Sequence, residues 1–226
     1  MKAGTLDHVA LWVTDRDTLA GFLTDNLGMH VIDRSDEFTL VGADARRGKL
    51  TLFRAEGERD PGQLERVVLR VSDLDRALAQ LPGDLAVQRV DGGVAQFEGP
   101  EGLGLGLVEG AGAVDYDIDH VVLRVGEPER AFGELAQLGF TPDNGRLMAG
   151  DGHLELRAGE PGASEQPLLN HVALRVGTAE EYIEEARLRG METDVVDGPN
   201  TYAVFVWGPD RIKLEYVEHK PGFSLV

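Results

Sequence analysis

Apolar and polar residues alternate in nearly the same phrase four times along this chain: TLDHVALWV (5–13), LERVVLRV (64–71), DIDHVVLRV (117–125) and LLNHVALRV (168–176). Apolar residues two apart mark a strand with one buried face. Each phrase is followed by a stretch with apolar residues at helical spacing, namely TDRDTLAGFLTDNLG, SDLDRALAQL, EPERAFGELAQLG and TAEEYIEEARLRG. In the last of these, Thr178 reads as the N-cap and Gly190 as the residue past the C-terminus, while Tyr182, Ile183, Ala186 and Leu188 favour one side. Further strand-like runs follow, punctuated by Gly, Pro and Asp, such as METDVVDG, NTYAVFVWG and RIKLEYVE. The pattern predicts a β-α-β-β-β unit made four times.

Two further alignments support the repeat. GKLTLFRAE (48–56) matches GHLELRAGE (152–160), and the second and fourth units share a Gly-Pro-acidic turn at 99–101 and 208–210. A chain of 226 residues accommodates two bodies of about 110 residues. The Gly- and Ala-rich segment VEGAGAVDY (108–116) reads as the linker, giving expected domains 1–110 and 115–226.

Composition removes several function classes. The net charge is −18 and no Lys/Arg cluster stands out, so nucleic acid and anionic membranes are disfavoured partners. No apolar run approaches the roughly 18–20 residues of a membrane span, and MKAGTLDHVA lacks a signal-peptide core. The expected location is cytoplasmic. Cysteine is absent, so any metal site must use imidazole and carboxylate.

The four modules resemble the vicinal oxygen chelate superfamily, which includes glyoxalases, bleomycin-resistance proteins and extradiol dioxygenases. In architecture they are most similar to the two-domain type I extradiol enzymes. The resemblance implies an α+β fold in which modules pair, first with second and third with fourth, into two half-open β-barrels. Strand alternation puts His171 on one face with Ala173 and Arg175, and Glu215 opposite Leu214 and Tyr216. By resemblance, His120, His171 and Glu215 form a 2-His-1-carboxylate metal set for Fe(II), with Mn(II), Ni(II) or Zn(II) as alternatives. The N-terminal equivalents are His8, Arg66 and Gly106. An arginine repels a cation, so that barrel is expected to be metal-free and His8 structural. His30 and His219 fall outside the motif and read as surface residues.

The first activity implied is extradiol cleavage of a catecholic aromatic with O2, with His153 as acid/base. Phe205 stands where the family usually has tyrosine, and alternation puts Tyr202 on the opposite face. Both are candidate substrate-binding positions. Glu155 aligns with Glu215, which as a fourth ligand would suit glyoxalase, isomerase or lyase chemistry. A non-enzymatic small-molecule binder is the third alternative. All three imply a small-molecule partner and leave a homo-oligomer open.

Overall fold

A computed structural model describes every residue except 58, 59, 163 and 165, and the side chain of Asp91. The first module comprises β1 (Thr5–Val13), α1 (Arg16–Asn26), β2 (His30–Arg34), β3 (Phe38–Asp44) and β4 (Arg47–Arg54). The second comprises β5 (Leu64–Val71), α2 (Leu74–Leu78), β6 (Gln88–Arg89), β7 (Ala95–Glu98) and β8 (Gly104–Glu109). The third has β9 (Asp117–Val125), α3 (Pro128–Gln137), β10 (Thr141–Asp143), β11 (Arg146–Ala149) and β12 (Gly152–Ala158). The fourth has β13 (Leu169–Val176), α4 (Glu180–Leu188), β14 (Thr193–Asp197), β15 (Thr201–Trp207) and β16 (Lys213–His219). The α+β class and the fourfold unit are those the sequence predicts. Among the described residues, no helix is long and apolar enough to cross a membrane.

Local chemistry explains the element ends. Asp15 caps α1 by accepting from the Asp17 and Thr18 amides at 3.0 Å each. Pro128 opens α3, where its fixed φ suits the first turn. Helix α4 starts later than expected: Ala179 is its N-cap and Thr178 does not cap it. The Ala179 amide instead donates to Glu218 Oε2 at 3.0 Å. Gly190 follows this helix at φ +65°, the left-handed conformation that suits glycine.

Module pairing differs from the expectation of two contiguous halves. One eight-stranded sheet runs β14-β15-β16-β13-β1-β4-β3-β2 and the other runs β10-β11-β12-β9-β5-β8-β7-β6. The first and fourth modules therefore share one sheet, here the terminal barrel, through antiparallel β1 and β13. The second and third share the other, the central barrel, through antiparallel β5 and β9. Segment 108–116 is consequently no spacer between bodies. It turns tightly across the end of β5, with the Gly110 amide on Val71 O at 3.0 Å and the Tyr116 amide on Arg70 O at 2.7 Å. Asp115 fastens it further by accepting from the Ser72 amide at 2.7 Å. A connection pinned to β5 delivers β9 to the edge of β5 itself.

The Gly-Pro-acidic turns tie the two barrels together. Glu101 accepts from the Thr14 and Asp15 amides at 2.8 and 3.0 Å, so the second module caps the approach to α1. Asp210 does the same for the third module, accepting from the Gly126 amide at 2.7 Å and from Arg130 at 3.2 Å. Both residues adopt positive φ, 63° and 50°. The charge-assisted bonds offset the cost of about 1–2 kcal/mol for a side chain in that region. One apolar cluster containing Leu11, Leu50, Leu69, Leu105, Leu123, Leu154, Leu174 and Leu214 runs through both sheets.

Candidate metal centre

Each strand that opens a module carries a β-bulge just before its key residue. The β1–β13 ladder slips at Asp7 and at Asn170, and the β5–β9 ladder slips at Glu65 and at Asp119. A bulge adds one residue and re-aims the next side chain. The bulged side chain therefore joins the face of its successor instead of lying opposite it. Asp7 Oδ2 lies 2.8 Å from His8 Nδ1, Asp119 Oδ1 2.7 Å from His120 Nδ1, and Asn170 Oδ1 2.9 Å from His171 Nδ1. In the remaining copy, Arg66 donates to Glu65 at 2.9 Å. A histidine whose Nδ1–H is held this way presents Nε2 to the barrel interior as a potential ligand.

In the terminal barrel three such ligand atoms converge. His8 Nε2 and His171 Nε2 are 3.1 Å apart, and Glu215 Oε2 lies 3.1 Å from the first and 3.0 Å from the second. Ligands about 2.1 Å from a metal and at right angles to each other are about 3.0 Å apart, so this near-equilateral triangle has the size of one face of an octahedron. Two imidazoles and one carboxylate are also a donor set that holds a divalent first-row metal. The donor geometry and chemistry both fit such an ion. The place matching Glu215 on β4 is held by Thr51, because Ala10 pairs with Thr51 as Ala173 pairs with Glu215. No fourth charged ligand stands there.

Of the expected set, the structure brings His171 and Glu215 together. Their neighbour is His8, which the sequence reading makes structural because an arginine in its barrel repels a cation. His120 sits in the central barrel, its ring stacked on His153 at 4.6 Å. The cause is the module pairing: β9, which carries His120, lies beside β5, and β13 lies beside β1. Glu155 is likewise in the central barrel, 3.5 Å from His153 and 3.7 Å from Arg146, so neither Glu155 nor His153 reaches the three-ligand cluster. Phe205, paired with Glu215, sets its ring against His171 at 5.1 Å. Tyr202 instead donates to Glu180 at the start of α4, 3.0 Å away. His30 is exposed, whereas His219 is buried, stacked on Phe223 at 4.3 Å, with Nε2 3.0 Å from Asp7 Oδ1. The signal that sequence reasoning passes over is the Asp or Asn before each histidine, a polar residue where alternation calls for an apolar one.

Electrostatics prepare the cluster for a cation. Burial works against charge on His8, yet the Glu215 and Asp7 carboxylates outweigh it and raise its pKa to about 9. Burial likewise opposes charge on Glu215, but His8 and His171 bring its pKa down to about 2. Burial lowers His171 against the pull of Glu215. Below pH of about 9 the cluster without metal therefore carries a proton on His8, which stabilises the fold fully below the ordinary value of 6.5 and less as pH rises toward 9. A metal must displace that proton. Apparent Zn(II) affinity, measured by chelator competition, should rise about tenfold per pH unit between pH 7 and 8.5. A flat profile would show that His8 is not a protonated ligand.

The surroundings are aromatic. Phe53 lies 6.4 Å from His171 and 5.5 Å from Trp12, and Phe38 lies 6.1 Å from Phe53 (ring centroids). Lys213 Nζ stands 4.2 Å over the Phe205 ring and 5.3 Å over that of Trp207. A cavity of about 760 Å³ is lined by Trp12, Asn170, Trp207 and Lys213, among others. It therefore borders the carboxamide that orients His171.

Fold and cluster together define a tandem βαβββ protein with a buried two-histidine, one-carboxylate centre in one of its two barrels. Residues 5–84 match the model of the Glyoxalase/Bleomycin resistance protein/Dioxygenase superfamily. Solved structures of the same fold include a candidate dioxygenase from Bacillus subtilis, with TM-score 0.78 and 17% identity over 98% of this chain and 87% of that one. Glyoxalase I from Zea mays superposes with TM-score 0.71 and 20% identity, over 95% of this chain and 92% of its own. The cppA protein from Streptococcus pneumoniae gives 0.67 and 13%, over 96% and 98% respectively. A search of curated proteins finds no significant match.

Proposed function

We propose that the protein is an Fe(II)-dependent extradiol-type dioxygenase that cleaves a small, anionic catecholic aromatic, with its chemistry in the terminal barrel. The observation that carries this reading is the three-ligand set His8, His171 and Glu215, with Thr51 in the fourth place. His8, His171 and Glu215 would hold Fe(II), which would supply the Lewis acidity and redox chemistry for opening the ring with dioxygen. The protein's own part is positioning. Asp7 and Asn170 hold the two imidazoles in register, Phe53 and Phe205 wall the ring and exclude water, and Lys213 offers a cation to an anionic substituent. A four-ligand isomerase site finds no support in this barrel, because Glu155 belongs to the other one.

The test is anaerobic loading with Fe(II), followed by oxygen uptake with catechol and 3,4-dihydroxybenzoate and detection of the yellow ring-fission product. One O2 should be consumed per ring opened. Thr51→Glu would place a carboxylate in the fourth ligand position. It should keep the metal and lower oxygen uptake more than about tenfold. Retention of nickel, zinc or manganese, with no oxygen uptake after Fe(II) loading, would overturn the proposal in favour of isomerase or lyase chemistry.

A further inference from the structure

The central barrel has the same architecture with a guanidinium in place of one imidazole. Where the terminal barrel carries His171 and Glu215, the matching positions carry Arg66 and Gly106, since Val68 pairs with Gly106 as Ala173 pairs with Glu215; where it carries His8 and Thr51, they carry His120 and Glu155. A Cβ at Gly106 would meet Val94 Cγ1 at 2.9 Å, Val68 Cγ2 at 3.1 Å and Arg66 Cδ at 3.3 Å, so two valines and the Arg66 stem crowd the place a carboxylate side chain would need. Relative to the terminal barrel, one imidazole is replaced by a guanidinium, and the carboxylate sits on the other module, as Glu155 where the terminal barrel has Thr51.

That guanidinium is buried and incompletely satisfied. Arg66 is 6% exposed, and its Nε has no hydrogen-bond partner among the described residues. Its ionic partner, Glu65, is shared among three arginines: Arg66 at 2.9 Å, Arg157 at 3.0 Å and Arg124 at 3.3 Å. A single carboxylate cannot neutralise three guanidinium groups. Burial lowers the Arg66 pKa and the neighbouring charge of Arg157 adds to this, with Glu65 opposing both. Arg146 faces the same cavity, which measures about 440 Å³ and opens onto His120 and His153. The two acids that line it are already engaged: Asp119 by Arg70 at 2.7 Å and by His120, and Glu155 by Arg146 and His153. A second metal at His120 and His153 would sit among these arginines, which oppose a cation.

We infer that the central barrel is a binding site for a small organic carboxylate, gripped by Arg66, Arg146 and Arg157. The opposite wall sets the rest of the ligand. Val90, Val94, Val108 and Val122 line the cavity and offer contact to an apolar body but nothing to a second anionic group. A planar guanidinium with free N–H groups matches the two oxygens of a carboxylate. An inorganic phosphate would satisfy the arginines and leave the valines unused. The site is independent of whatever reaction the terminal barrel performs.

The test titrates benzoate into the full-length, metal-loaded protein, following the imidazole protons of His120 and His153 by NMR and the affinity by calorimetry. Both signals should shift saturably. Arg66→Gln and Arg157→Gln should each weaken benzoate about tenfold. Arg157 is half exposed, so Arg157→Gln tests the site even where the buried Arg66→Gln fails to fold. Glu215→Gln, in the other barrel, should leave benzoate affinity unchanged. The inference is overturned by unshifted imidazole signals, by undiminished affinity in Arg157→Gln, or by loss of binding in Glu215→Gln. Inorganic phosphate binding as tightly as benzoate would overturn the carboxylate assignment.

Discussion

Replacing His8 by alanine should strip the protein of its metal, while replacing His120 should leave metal content unchanged. His8 Nε2 is one corner of a triangle whose other corners are His171 Nε2 and Glu215 Oε2, all within 3.1 Å. His120 is held by Asp119 beside His153, in the other sheet. Removing an orienting neighbour of a ligand already costs roughly 10–100-fold in affinity, so removing the ligand itself should cost more than about a hundredfold. Metal stoichiometry after dialysis, with circular dichroism to confirm folding, decides the matter. A His8→Ala variant that keeps its metal, beside a His120→Ala variant that loses it, would restore the contiguous pairing of modules and sink the centre described above.

The second large effect concerns Asp7, whose side chain lies 1% exposed beneath the cluster. Its carboxylate meets His8 Nδ1 at 2.8 Å, Lys49 Nζ at 2.8 Å and His219 Nε2 at 3.0 Å. Burial alone would raise its pKa, but Lys49, His219 and His8 together hold it well below 3.8. Its pairing therefore contributes stability at all pH above 3.8 and loses it only as pH falls through the lower, folded value. Asp7→Ala would leave Lys49, 3% exposed, facing the Ala45 carbonyl and the Phe223 ring with its buried carboxylate partner gone. Breaking one side of a buried ion pair costs about 3–5 kcal/mol, readable as a shift in urea midpoint. Asp7→Asn should separate two roles. The amide oxygen can still accept from His8 Nδ1, as Asn170 does for His171, so metal affinity should hold while stability falls. Equal loss of metal affinity in both variants would show that charge, and not orientation, is what Asp7 supplies.

Much of this molecule can be read from its residues. The strand phrases around His8, Arg66, His120 and His171 give the fourfold unit, because period-two alternation and the following helical stretch are local properties. That His171 and Glu215 face the barrel interior follows from face assignment within single strands, and the family resemblance supplies their reading as ligands. The partner of His171 does not, since His8 and His120 carry the same dipeptide logic and either could stand opposite it. Segment 108–116 makes the choice, and its Gly and Ala content reads as slack chain. It is in fact a turn held by Asp115 and by backbone bonds to Val71 and Arg70. Strand alternation also cannot show a bulge, so it puts Asp7, Asp119 and Asn170 on the wrong face, which only the register slips correct. Arg66 carries a lesson of both kinds: its charge opposes a cation in its own barrel, and that barrel contains His120 and not His8.

The joining of the first module to the last sets the order in which the chain becomes competent. The central barrel is built from one continuous stretch, β5 to β12, and can close while later residues are still being made. His8, by contrast, emerges early and waits for a partner 163 positions away. Glu215 arrives later still, on the last strand. Until then the β1 edge stands unpaired toward β13, and a buried Asp7–Lys49 pair has no lid. Metal loading is thereby a report on completion: an interrupted chain keeps the arginine-lined barrel and has no carboxylate with which to close the other.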